Sequence, residues 1–197
     1  MNRQRGFTIL ELMAVVVITG ILLSVGLPSF QTLMFNNRIT SQLNLFSSSL
    51  ALARSEAVRA NQRVVVCPST DGATCIDDPN WENGWITFID RNANFQVNDD
   101  GGGNPLDDPC AATAGDDAAD DCILNYVAQL AADNLTLRSD TTDNYFSYNG
   151  LGQGLEVAHF RICDDRGADH AKVINISVTG RSSVSTKLAD GSAPTCP

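Results

Sequence analysis

The sequence predicts an α+β protein in which one long N-terminal helix packs on an antiparallel, β-rich head. Three observations lead there. The run Phe7–Leu27 has 21 residues and a single ionisable group, Glu11. An apolar stripe at helical spacing then carries the pattern to about residue 60. Beyond it come short β-rich runs punctuated by Gly, Pro, Asn and Asp turns. The 197 residues amount to one ordinary domain with an appendage. With 43% apolar and 18% charged residues, the chain is not disordered as a whole.

Charge divides the chain along its length. The leader, residues 1–6, carries Arg3 and Arg5. Residues 29–63 carry Arg38, Arg54, Arg59 and Arg63 against Glu56, a net of +3. From Val64 onward 21 acids face 7 bases, a net of −14. The overall charge of −10 argues against general nucleic-acid binding, which needs clustered Lys and Arg.

The apolar run, 7–27, is about as long as the ~30 Å hydrocarbon core at 1.5 Å per residue. A basic leader holds the N-terminus on the cytoplasmic side and sends the rest across the membrane. A cleaved secretory signal ending at Ser24-Val25-Gly26 is the alternative. Two features oppose it: the carboxylate inside the apolar run, and a helical pattern that continues past Gly26. Pro28 cannot donate to the Ser24 carbonyl and crowds it, which predicts a kink or a melted turn there.

The stem, 28–63, has Ile39, Leu43, Phe46, Leu50, Ala53, Ala57 and Ala60 in one stripe. The side chains shrink toward the C-terminal end, which suits close packing on a sheet. Span and stem together predict a helix of more than 50 residues, suited to a subunit that packs its helix into a filament.

The head, 64–197, reads as strands at Val64–Cys67, Trp85–Asp90, Tyr145–Tyr148, His159–Cys163, Val173–Val178 and Ser183–Lys187. Asp90–Cys122 forms an acidic insertion that holds nine aspartates, Asp90 included. Its start, Asp90-x-Asn92-x-Asn94-x-Gln96-x-Asn98, has the alternating oxygens of a calcium loop. However, Phe95 stands where such loops need glycine, and Gly101 where they need a bidentate carboxylate, so a solvated acidic loop is the preferred reading.

Six cysteines without a C-x-x-C suit disulfides rather than zinc or thioredoxin chemistry. Of the 15 connectivities six cysteines allow, the preferred one is Cys67–Cys75, Cys110–Cys122 and Cys163–Cys196. Each of these bonds would tie down a segment with little core of its own. G-x-S-x-G, the P-loop and H-E-x-x-H are all missing, and the two histidines, His159 and His170, leave little for a His-based centre. His159 falls in a strand pattern and reads as structural. The chain reads as a non-enzyme without cofactor or metal.

Gly6-Phe7-Thr8-Ile9-Leu10-Glu11-Leu12 closely resembles the type IV prepilin signature, and Pro28 falls where such pilins carry a helix-kinking proline. Residues 51–69 (ALARSEAVRANQRVVVCPS), Gly84–Asp90 (GWITFID) and Ile176–Arg181 (ISVTGR) resemble the minor pilins and pseudopilins of the GspH/FimT/FimU family. The resemblance implies a type IV pilin-like fold. It implies cleavage by prepilin peptidase after Gly6, N-methylation of Phe7 and an assembly role for the Glu11 carboxylate. It implies partners, too: other minor and major pilins or pseudopilins met through the N-terminal helix, and lipid of the inner membrane. The implied place is a single pass of that membrane with the head periplasmic, followed by the tip of a pilus or pseudopilus. Within the family three roles are implied: initiating or capping a type IV pilus, the H-type minor pseudopilin of type II secretion, and DNA uptake. Some FimT-like members contact DNA through Gly-Arg-x-Arg. Here Gly180-Arg181-Ser182-Ser183 keeps only the first arginine, leaving Arg181 and Lys187 as candidate contacts on an acidic head.

Overall fold

A computed structural model describes residues 8–97, 121–130, 134–141 and 144–197. The chain divides into two units, 1–38 and 39–197. Helix α1, Ile9–Ala60, runs through both. It contains Pro28 without interruption, so the melted turn expected there does not form. Proline deletes one backbone bond, while the turns on either side of it keep theirs.

The end of α1 is sharper than the expected stem boundary at residue 63. Asn61 takes a left-handed conformation (φ 53°), and the Gln62 N–H bonds the Ala57 carbonyl at 3.2 Å. This six-to-one bond is a Schellman stop, which closes the helix at Ala60 and lets Arg63 begin a strand.

In the second unit the strands are β1 (Arg63–Pro68), β2 (Gly84–Asp90), β3 (Cys122–Ala128), β4 (Thr136–Ser139), β5 (Phe146–Tyr148), β6 (Ala158–Cys163), β7 (Lys172–Ile176) and β8 (Ser182–Ser185). They form two four-stranded antiparallel sheets, ordered β3-β2-β1-β5 and β4-β6-β7-β8. β3 and β4 are additions to the sequence reading, and the other six match its runs to within a few residues. Asp90 closes β2 and Cys122 opens β3.

The main core lies between α1 and both sheets. The stem stripe is buried from Ile39 to Ala57 and half-buried at Ala60, with Phe46, Leu50, Ala53 and Ala57 fully covered. Phe46 sits at its centre, with Trp81, Trp85 and Phe160 rings 4.6–5.6 Å away. The Trp85 indole N–H, buried with the ring, donates to Ser49 Oγ at 3.0 Å. A second, smaller core lies on the other face of the first sheet. There the alternate residues Val65 and Cys67 of β1 join Ile86 and Phe88 of β2 and Ile123 of β3. Loops cover it, among them the one closed by the Cys67–Cys75 disulfide. A second disulfide, Cys163–Cys196, fastens the C-terminal segment to β6. The third expected pair includes Cys110, outside the described residues.

Candidate assembly helix and its anchorage

From Ile9 the first unit is helix, and up to Met34 its large apolar side chains face outward on every side. Its large apolar residues are 42–79% exposed from Ile9 to Met34. Gly20 and Gly26 have nothing within 4 Å of a built Cβ. Monomeric soluble proteins do not leave so long an apolar column in water. Among the described residues this is the one helix long and apolar enough to cross a membrane. Three of its hydroxyls bond carbonyls of their own helix, as a lipid or protein-packed setting requires. Thr19 donates to the Val15 carbonyl, Ser24 to Ile21 and Thr32 to Pro28, at 2.8, 2.8 and 3.1 Å.

Thr8 starts the helix. Its Oγ1 accepts the Glu11 backbone N–H at 3.2 Å, and its carbonyl accepts the Leu12 N–H at 3.1 Å. Thr8-x-x-Glu11 thus has the order of a capping box, which places a carboxylate in the first turn. Glu11 is exposed. Gly6 and Phe7 lie outside the described residues.

In the second unit the stem is locked to the head by a second device, which sequence reading did not find. Arg54 Nε donates to the Gly152 carbonyl at 2.9 Å, and its Nη2 to the Thr179 carbonyl at 3.0 Å. One guanidinium thereby gathers two loops onto the helix. The loops meet so closely that a Cβ at Gly180 (φ 74°) would come within 2.0 Å of the Gly152 oxygen. Burial pushes the nearby Tyr148 hydroxyl up to about 12, partly offset by the Arg54 charge.

The remaining sequence candidates do not form one site. Arg181 and Lys187 are exposed and flank β8. His159, mostly covered, bonds Asp140 through Nδ1 at 2.6 Å. The Asp90 carboxylate, also buried, is used by the protein itself: it accepts the Asn94 and Phe95 backbone N–H groups and pairs with Arg63 at 3.5 Å. That disfavours the calcium-loop reading, because the oxygen that would lead the coordination is already engaged. Asn98 lies outside the described residues. No group of three or more His, Cys, Asp or Glu among the described residues is placed to hold a metal.

Residues 1–27 match the prokaryotic N-terminal methylation motif, and residues 42–180 match the family described as type II transport protein GspH. The chain is 38% identical over 95 residues to the pilin-like protein PilA1 of Thermus thermophilus. It is 41% identical over 46 residues to the prepilin peptidase-dependent protein D of Escherichia coli K12. Those matches cover 46% and 23% of this chain, and span about half and about a third of the two relatives (51% and 32%). Two crystal forms of the type IV minor pilin FimU of Pseudomonas aeruginosa PAO1 share the fold. Their TM-scores are 0.53 and 0.50 at 20% and 19% identity, over 82% and 80% of this chain and 96% and 99% of theirs. The GspH match takes in most of the chain and the methylation motif the apolar N-terminus, so the chain belongs to the GspH family of type IV minor pilins and pseudopilins.

Proposed function

We propose that this chain is a minor pilin that initiates or caps a type IV pilus, in a structural rather than catalytic role. The observation that carries the proposal is the two-part helix. Its first unit bares an apolar surface all round, and its continuation is buried as one stripe in the head. Such a helix is held by lipid before assembly and by neighbouring helices afterwards. The proposed orientation is an N-terminus in the cytoplasm and a disulfide-bonded head in the periplasm, so that residues 1–6, 7–27, 28–63 and 64–197 act as leader, span, stem and head.

Prepilin peptidase would cut after Gly6 and leave Phe7 with a methylated amine. The mature protein would lose Arg3 and Arg5, taking the formal side-chain charge from −10 to −12. The new amine lies four residues from Glu11, roughly one helical turn away on the same chain. A neighbour shifted along the filament axis can offer its own amine to that carboxylate. Paired in low dielectric, the two charges select one axial register, while apolar contacts supply the bulk attraction.

The GspH description of the matched family favours a second reading, the H-type pseudopilin of type II secretion. A strain lacking the gene, assayed for surface pili, secreted enzymes and transformation, separates the roles. Loss of pili with normal secretion supports the first. Loss of secretion with normal pili supports the second, and loss of transformation alone points to DNA uptake.

A further inference from the structure

On the face of the first sheet turned away from α1, a cleft of about 510 Å³ opens above the Cys67–Cys75 disulfide. That volume suits a small ligand. Its walls come from three separate segments: the disulfide loop, the turn after β2 and the approach to β5. Strain gathers at this one place. Among the described residues four non-glycines have left-handed backbones. Asn61 is the helix stop, and the other three are Ala93 (φ 62°), Phe95 (φ 63°) and Asn144 (φ 48°). Phe95 and Asn144 line the cleft, and Ala93 is two residues from Phe95. A bulky aromatic residue rarely adopts this conformation, and it persists only where its surroundings enforce it.

Those surroundings are on view. The buried Asp90 carboxylate grips the Asn94 and Phe95 N–H groups. The Phe95 ring is clamped between the Arg63 guanidinium, 4.3 Å from its centroid, and the stacked Tyr145 ring at 4.5 Å. Both contacts hold the Phe95 ring in the cleft wall. The apolar floor is completed by Ile76 and the disulfide.

The polar lining identifies the ligand class. Among the described residues it comprises one carboxylate, Asp77, three amides, Asn94, Gln96 and Asn144, and the phenol of Tyr145. Asn144 Nδ2 donates to Asp77 Oδ1 at 2.6 Å, and Asn94 Oδ1 accepts the Gln96 N–H at 2.8 Å. What remains is a mixture: amide donors on Asn94 and Gln96, and acceptors on Asn144, Gln96 and Asp77. Adjacent hydroxyl groups, which both give and accept hydrogen bonds, match that mixture. An anion would meet Asp77 with no cation among the described lining residues to offset it, and an ammonium group would leave the amide donors unused. We propose that this cleft binds a neutral saccharide, its hydroxyls on the amides and Asp77 and its apolar face on Ile76 and Phe95. The proposal is independent of which machine the subunit serves.

The test uses full-length protein in phospholipid nanodiscs. Saturation-transfer NMR is recorded on maltose, lactose and N,N′-diacetylchitobiose, with pentalysine as the basic-peptide probe. Transfer to at least one disaccharide is expected. Gln96→Ala should weaken that binding by about tenfold, the worth of one or two hydrogen bonds. The Gln96 side chain is exposed and bonds nothing among the described residues, so its loss leaves the fold unchanged. Transfer to pentalysine but to no sugar assigns the cleft to basic peptides and overturns the proposal. Transfer to no probe overturns it as well, and so does sugar binding that Gln96→Ala leaves unaltered.

Discussion

Leu22 and Leu50 are the same residue on the same helix, yet Leu22 is 67% exposed and Leu50 is fully buried. Up to Met34 the large apolar residues of α1 point outward in all directions, and from Ile39 onward most of those on it form one buried stripe. The local rules of helix formation do not change between the two stretches. What changes is the solvent each was selected for: a ring of apolar residues suits lipid or a bundle of like helices, and a stripe suits one sheet-lined core. A protein that must be both anchored and folded can thus use one element for both, provided the pattern switches along its length.

Substitutions at matched positions sharpen this contrast. Both tryptophans, Trp81 and Trp85, are buried in the head, so their fluorescence reports on the head alone. Phe46→Ala should cost about 3–5 kcal/mol in guanidinium unfolding of the detergent-solubilised protein, because a central ring is deleted from close packing. Leu22→Ala should leave the same transition within about 0.5 kcal/mol, since it removes nothing the head packs against. A large shift from Leu22→Ala would erase the distinction.

Next in size is the C-terminal tether. Replacing Cys163 and Cys196 by serine opens a loop of 33 residues and should cost about 3–4 kcal/mol in the same transition. An unchanged midpoint would show that Arg161, whose Nη1 donates to Thr195 Oγ1 at 2.8 Å, holds the segment alone.

The smallest effect concerns Asp71. Desolvation alone would raise its carboxyl, but the Ala73 and Thr74 N–H groups and the Thr74 and Ser69 hydroxyls outweigh it and hold it well below the usual carboxylate range. A pKa lower in the folded than in the unfolded state stabilises the fold above the unfolded value of about 4, and this gain fades as pH falls toward the folded value. The carboxylate is exposed, so Asp71→Asn should cost no more than about 1 kcal/mol at pH 7. The gap from the parent should close as the pH drops below about 4. A gap that stays constant with pH would mean the loop needs the side chain's shape and not its charge.

The parts of this architecture that repeat were legible in the sequence. The stem stripe from Ile39 to Ala57 announces itself by period, and the span by its length and lone carboxylate. Strand β4 was not legible, because four residues, TLRS, are too few to show alternation. Strand β3 was hidden because it follows directly on an aspartate-rich run that reads as loop. Pro28 misled only as to a melted turn, because a 52-residue helix absorbs one lost hydrogen bond without interruption. Of the functional features, Glu11 was readable because its motif is local. The Arg54 clamp and the cleft over the disulfide were not, because their partners come from segments far apart in the chain, Arg54 lying 98 and 125 residues from the carbonyls it holds.

The most direct measurement follows Glu11. Cells expressing Glu11→Val are fractionated into membranes and sheared filaments, and the subunit is quantified in each by immunoblot, with its intact mass determined. If the N-terminal helix serves assembly through a charge pair, the variant is inserted, begins at Phe7 and keeps a folded head. It is then missing from the filaments, while Glu11→Asp is partly retained. Parent levels of Glu11→Val in the filament fraction would contradict the pairing, and a mature chain beginning at Leu27 would contradict the assembly helix itself.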